Sequence, residues 1–416
     1  MIFQGLSPTL WGALSDVYGR RITYIGTFVV FLGACIGLAE TKDYAQLMVL
    51  RCVQSTGSAS TVAIGAGVIG DITTREERGS YMGFFQAGLL MPVAVGPILG
   101  GAFANTLGWR PIFCFLAIYS GAFLIVLVVV LPETLRSIVG NGSIPPQRLW
   151  AKSPLAAVQR RRYHRQRLDV PEQPSPVVSE RKKIDILGTV RILVRLEVTF
   201  AVFFIGIFYT VWQMVLTALS TLFTEHYRLS EIETGLIFIA NGAGCICGTL
   251  LTGKLLDFDY RRIKASFTSN PDDFPLERAR LRPVWLYGGL QCASVLIFGW
   301  TIEKGVHMSV PIICLFVLGW TAISMQSIVS TFLVDVYPQK SASAMAALNL
   351  VRCLLGAGGA AVVMPCINAM NVGWTFTLFM FIMLASFGLV VVQMAYGASW
   401  RRMREQKEAE IQSHGP

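Results

Sequence analysis

Eleven runs of mostly apolar residues set the limits on what this chain can fold into. A helix that crosses a bilayer needs about 20 such residues. The runs near 22–39, 45–70, 80–104, 109–131, 197–223, 232–256, 284–302, 309–334, 342–368 and 374–397 qualify, and residues 2–15 form a shorter one. Of 416 residues, 53% are hydrophobic and 14% charged, against about 25% charged in a soluble domain. The fold class implied is an all-α integral membrane protein, multi-pass, with the lipid bilayer as its first partner. A net charge of +10 would fit nucleic acid, but the basic residues lie between the runs, where they orient a membrane protein. No nucleic-acid partner is expected.

The positive-inside rule places the 71–79 loop, the 132–195 segment, the 257–283 loop and the tail after Trp400 in the cytoplasm. The opposite loops carry little positive charge, chiefly Lys42, Arg110, Arg228 and Lys304. The expected organisation is an N-terminal bundle over 1–131, a basic cytoplasmic linker over 132–195, a C-terminal bundle over 196–398 and a tail over 399–416. The linker holds Arg160-Arg161-Arg162 and Arg181-Lys182-Lys183 and reads as flexible. Nine cysteines are scattered through apolar segments with no zinc spacing, and neither a metal nor a cofactor is expected. The four histidines fall in loops or the tail with no nucleophile arrangement around them, so no enzyme is expected.

One short pattern is written twice. GALSDVYGRR begins at Gly12 and GKLLDFDYRR at Gly253, so that Gly12, Asp16, Arg20 and Arg21 recur as Gly253, Asp257, Arg261 and Arg262, offset by 241. Both copies end an apolar run and are expected to open a basic turn. Asp71 with Asp335, and Gly108-Trp109 with Gly373-Trp374, repeat at a similar spacing. Such duplication marks secondary transporters whose two similar halves move about a shared site. Matching halves need equal numbers of spans, and five precede the linker while six follow it. The first span is therefore expected to be missing through a truncated gene model or a start site chosen inside a longer frame.

These residues resemble the Major Facilitator Superfamily, in a fungal branch similar to drug:proton antiporters. The turn holding Gly12, Asp16, Gly19, Arg20 and Arg21 is similar to the superfamily's most diagnostic sequence. Leu47-x-x-x-Arg51-x-x-Gln54 resembles its proton-coupling pattern, with Ser55 where glycine is usual, and Gly88-x(7)-Gly96-Pro97-x-x-Gly100-Gly101 resembles its antiporter pattern. GDITTREERG, LPETLRSIVGNGSIPP, LLDFDYRR and NLVRCLLGAGGA resemble a subgroup holding citrate and itaconate exporters, quinidine-resistance-type exporters and dityrosine exporters. The resemblance implies the major facilitator fold: two pseudo-symmetric helical bundles of six spans each, eleven of the twelve being present.

It also implies a gate role for Asp16 and Arg20; Arg21, Asp71 and Arg78, at span ends on the same side, and Asp257 with Arg261, the twins in the second half, are expected to join ion pairs that hold one conformation and break in another. The alternative is solvated charge worth about 0–1 kcal/mol per pair. The residues expected to touch a cargo are Arg51 and Gln54, then Tyr209, Gln213 and Asn241, then Asn349 and Arg352. A central arginine costs roughly 2.5–3.5 kcal/mol on insertion scales, so it usually faces a cavity; snorkelling to an interface is the other reading for both arginines. Thr210, Gln213, Thr217 and Ser220 form a polar stripe that serves equally as helix-to-helix glue. Gly96, Pro97, Gly100 and Gly101 are expected to kink and pack one helix closely.

No carboxylate falls near a midplane; Glu40, Asp71, Glu225, Asp257, Glu303 and Asp335 all lie close to span ends. Two arginines suit an anion, which they can grip in bidentate fashion. The expectation is a plasma-membrane exporter of a small organic acid anion such as citrate, working by alternating access, coupled to protons and acting as a monomer. The alternatives are a multidrug, weak-base or polyamine exporter on the same fold, and a transport-inactive sensor or truncated remnant.

Overall fold

The computed structural model describes residues 1–73, 85, 88, 96, 99–103, 106–139, 153–155, 192–266, 276–336 and 341–413. Hydrocarbon offers no water to backbone N–H and C=O groups, so an apolar run satisfies them within itself as a helix. Among the described residues every regular element is helical. In chain order these are α1 (Ile2–Tyr18), α2 (Arg20–Glu40), α3 (Tyr44–Ile72), α4 (Arg110–Val130), α5 (Arg136–Val139), α6 (Leu196–Tyr227), α7 (Glu231–Ser266), α8 (Leu276–Leu281), α9 (Val284–Glu303), α10 (Ser309–Val336), α11 (Ser341–Met370) and α12 (Val372–Ser413). Eight are long and apolar enough to cross a membrane. With α1, α3 and the helical positions between 85 and 103, they account for the eleven runs of the sequence.

The two copies of the repeated pattern fold differently. In the first, α1 stops at Tyr18 and α2 starts at Arg20, with Gly19 between them at φ 115°. The second lies wholly inside α7, which continues to Ser266, so the turn expected there is replaced by helix. Tyr260 stands where the first copy has Gly19, and a tyrosine disfavours the left-handed backbone that glycine adopts freely.

By contacts the chain divides into two compact units, 1–86 with 106–186, and 87–105 with 187–416. Of the described residues in the span expected near 80–104, Phe85 falls in the first unit and Gly88, Gly96 and residues 99–103 in the second. In the first unit α2 packs against α3 and α4, and α1 against α3. In the second, α7 pairs with α10, α6 with α11, and α9 with α10 and α12. Glycines let α7 and α10 meet backbone to backbone: a Cβ on Gly244 would lie 2.0 Å from the Phe316 carbonyl oxygen. The largely aliphatic core of this unit holds an aromatic cluster, with Phe204, Phe208 and Phe387 within 5.8 Å of one another, centroid to centroid.

Candidate functional site

Arg20 is the hub of the first unit's charged end. Its Nε donates to Asp71 Oδ2 at 2.9 Å, one terminal nitrogen sits 2.7 Å from Asp16 Oδ1, and the same nitrogen donates to Ser15 Oγ. Asp71 is 15% exposed and Asp16 54%. The Asp71 pair is therefore the less screened of the two, although the repeated pattern points first to Asp16. Glu133, absent from the residues singled out in the sequence, closes the cluster from behind. Its carboxylate accepts from the backbone N–H of Arg20 (2.8 Å) and of Arg21 (3.2 Å), covering the N-terminus of α2. In return the Arg21 guanidinium donates to the carbonyls of Leu131 and Val128 at the C-terminal end of α4. Gly19 is required here by its φ of 115°, and a Cβ there would also crowd the Glu133 carboxylate. A signal for Glu133 existed: it is an acid in LPETLRS directly after an apolar run that should end on the same side as Arg20.

The second unit has its own charged end. Arg280 Nε meets Asp335 Oδ2 at 2.7 Å, Arg401 lies 3.5 Å from Glu277, and Arg404 pairs with Glu197 at 3.3 Å and donates to the Val336 carbonyl. The side chains of Asp257 and Arg261 are not among those described, and Arg78 and Pro97 lie outside the described residues. Gly12, Gly96 and Gly100 would each meet no described atom within 4 Å if given a Cβ, so the close packing expected of the Gly96–Gly101 stripe is not seen among the described residues. Gly101 is helical.

Further along the helices, each unit holds an arginine clasped by an amide and an aromatic ring. On α3, exposed Arg51 donates to Gln54 Oε1 at 2.9 Å and its Cζ lies 5.3 Å from the Phe113 centroid, while Gln54 reaches Cys35 Sγ at 3.2 Å. On α11, Arg352 donates to Asn349 Oδ1 at 2.7 Å, one helical turn away, and its Cζ lies 4.6 Å from the Tyr209 centroid. Arg352 Nε is shut off from solvent and has no hydrogen-bond partner among the described residues. Gly359 lets α11 approach α6, where a Cβ would lie 2.4 Å from Thr210 Cγ2.

The polar stripe of α6 bonds mostly to its own helix. Thr210 Oγ1 donates to the Gly206 carbonyl and Thr217 Oγ1 to that of Gln213, at 2.7 and 2.8 Å. Gln213 is half-buried, while Thr217 and Ser220 are exposed. Asn241, expected beside a cavity, is fully buried and accepts a hydrogen bond from Trp212 Nε1 at 3.0 Å. Among the described residues, the buried carboxylates are Glu133, Glu197 and Glu277. They sit just after α4, at the second residue of α6 and in the short α8, so each lies at a helix end.

A sequence profile of the Major Facilitator Superfamily matches residues 1–360. Citrate exporter 1 of Aspergillus niger is 39% identical over 98% of this chain and 79% of its own length. MFS antiporter QDR2 of Candida albicans is 35% identical over 91% of this chain and 75% of its own. Among solved structures, that of the human organic anion transporter MFSD10 (TETRAN) aligns with a TM-score of 0.57 at 18% identity, over 94% of this chain and 81% of that one.

Proposed function

Because the chain belongs to the Major Facilitator Superfamily, and so is a multi-pass membrane transporter rather than an enzyme, we propose that it exports a small organic acid anion such as citrate. The observation that carries this reading is Arg352: a half-buried guanidinium within an apolar helix, held from two sides by Asn349 and Tyr209. A carboxylate is the natural acceptor for such a group. A cationic cargo would need a counter-charge, and the buried carboxylates among the described residues are all at helix ends. The similarity to a citrate exporter points the same way.

The transport cycle is alternating access, coupled to protons, with Arg51 and Gln54 as the second polar station and Gln213 beside Tyr209. The ion pairs of Arg20 with Asp16 and Asp71 serve as the gate, closed when made and open when broken. The protein works as a monomer in the plasma membrane. A weak-base or drug exporter is the second reading, favoured by the similarity to an MFS antiporter and by the aromatic pair Tyr209 and Trp212. Proteoliposomes holding the full chain, loaded with labelled citrate, a labelled cationic drug or a labelled polyamine, separate the two. Citrate should leave, faster with an imposed proton gradient; release of drug or polyamine alone contradicts the anion reading.

A further inference from the structure

The environment of Arg352 continues inward through contacts that no cargo could reach. Tyr209, whose ring lies against the guanidinium, packs on Trp212 with centroids 5.6 Å apart at 66°. Trp212 is 8% exposed and gives its indole N–H to Asn241 Oδ1 at 3.0 Å. Asn241 is 0% exposed. It is wedged against α10, where a Cβ on Gly319 would fall 2.8 Å from Asn241 Oδ1. Its other amide atom, Nδ2, has no hydrogen-bond partner among the described residues.

A buried amide with one half unsatisfied is costly, and an apolar side chain of the same size would avoid that cost. What leucine at this place could not do is hold the Trp212 N–H. That bond restrains the rotation of the indole, the indole packs on the tyrosine ring, and the ring lies against the guanidinium, which also donates to Asn349. The plane matters because a guanidinium binds a carboxylate only along its edge.

We propose that Trp212 and Asn241 are positioning residues for Arg352, acting through Tyr209, and that they set the affinity for the anion without touching it. This rests on Arg352 being the anion-binding group.

Citrate transport by the full chain in proteoliposomes tests it, with rates normalised to inserted protein. W212F keeps a ring against Tyr209 and loses the N–H; N241L keeps volume and loses the acceptor. Each should raise KM for citrate about tenfold with kcat within about twofold, since uniform binding is what is lost. The W212F/N241L double variant should be no worse than either single one, because both remove one bond. Y209L, which removes the ring between the indole and the guanidinium, should match N241L. If W212F and N241L only lower the amount of inserted protein, or lower kcat with KM unchanged, the bond merely staples α6 to α7 and the proposal is overturned. R352A run alongside separates the two levels. Loss of transport in R352A with unchanged KM in W212F and N241L removes the positioning role alone; an unaffected R352A, or no citrate transport by the parent chain, removes both.

Discussion

Glu133 and Arg21 form a reciprocal cap in which each helix end is neutralised by a residue from the other strand of chain. The carboxylate sits on the positive end of α2 and the guanidinium on the negative end of α4. Such terminal charges are worth about 0.3–1 kcal/mol at exposed sites and up to ~2 kcal/mol when partly buried. Arg20 stands beside this cap and is 11% exposed, so its two acidic partners differ in weight. D71N should lower unfolding stability in detergent by roughly 2 kcal/mol, in the range for charge-assisted bonds. D16N should cost under about 1 kcal/mol, as for solvent-screened pairs. Equal losses in a thermal unfolding assay would contradict this ranking. The sequence placed Asp16, Asp71, Arg20 and Arg21 on one side of the membrane, and the structure joins Asp16 and Asp71 through Arg20. It could not rank them, because burial depends on which helix covers which side chain. Glu133 showed in the sequence only as an acid just after an apolar run, since the Arg20 and Arg21 N–H groups that it caps lie 113 and 112 positions away.

At the scale of elements, apolar length foretold the helices well and their ends less well. The tail after Trp400 was expected to be a separate piece, yet α12 runs unbroken from Val372 to Ser413. The stretch RRMREQKEAEIQ contains strong helix formers and neither glycine nor proline, so nothing in it stops the helix that the membrane segment began. Continuity has a consequence: Arg401 and Arg404 are carried down to Glu277 of α8, Glu197 of α6 and the Val336 carbonyl of α10. R404A leaves Glu197 with one partner fewer at 6% exposure. It should cost about 1–3 kcal/mol and speed amide hydrogen exchange in the first turns of α6 while the middle of α6 is unchanged. Uniform exchange along α6 would show that the tail does not hold that end. The repeated pattern gives the complementary lesson. A glycine at φ 115° breaks the helix in one copy, a tyrosine lets it continue in the other, and the shared Gly, Asp and Arg spacing hid that difference.

For the whole molecule, each unit carries one arginine clasped by an amide three residues away and faced by an aromatic ring: Arg51 with Gln54 and Phe113, Arg352 with Asn349 and Tyr209. The residue types were legible because a charge in an apolar run is costly and therefore conspicuous. The ring contacts were not: Tyr209 stood out as a cargo residue but not as a partner of Arg352, and Phe113 not at all, since both rings lie on other helices and nothing in linear spacing couples them to an arginine. The two arginines differ in setting, Arg51 being exposed and Arg352 half-buried with an enclosed N–H, which makes Arg352 the sharper probe of cargo charge. The deciding measurement is transport by R352A against the parent chain, with labelled citrate and a labelled cationic drug in the same proteoliposomes. An anion exporter should lose citrate transport by about tenfold or more, the loss expected for a charge-assisted bond, with drug movement little changed. Undiminished citrate transport, or a loss confined to the drug, would contradict it.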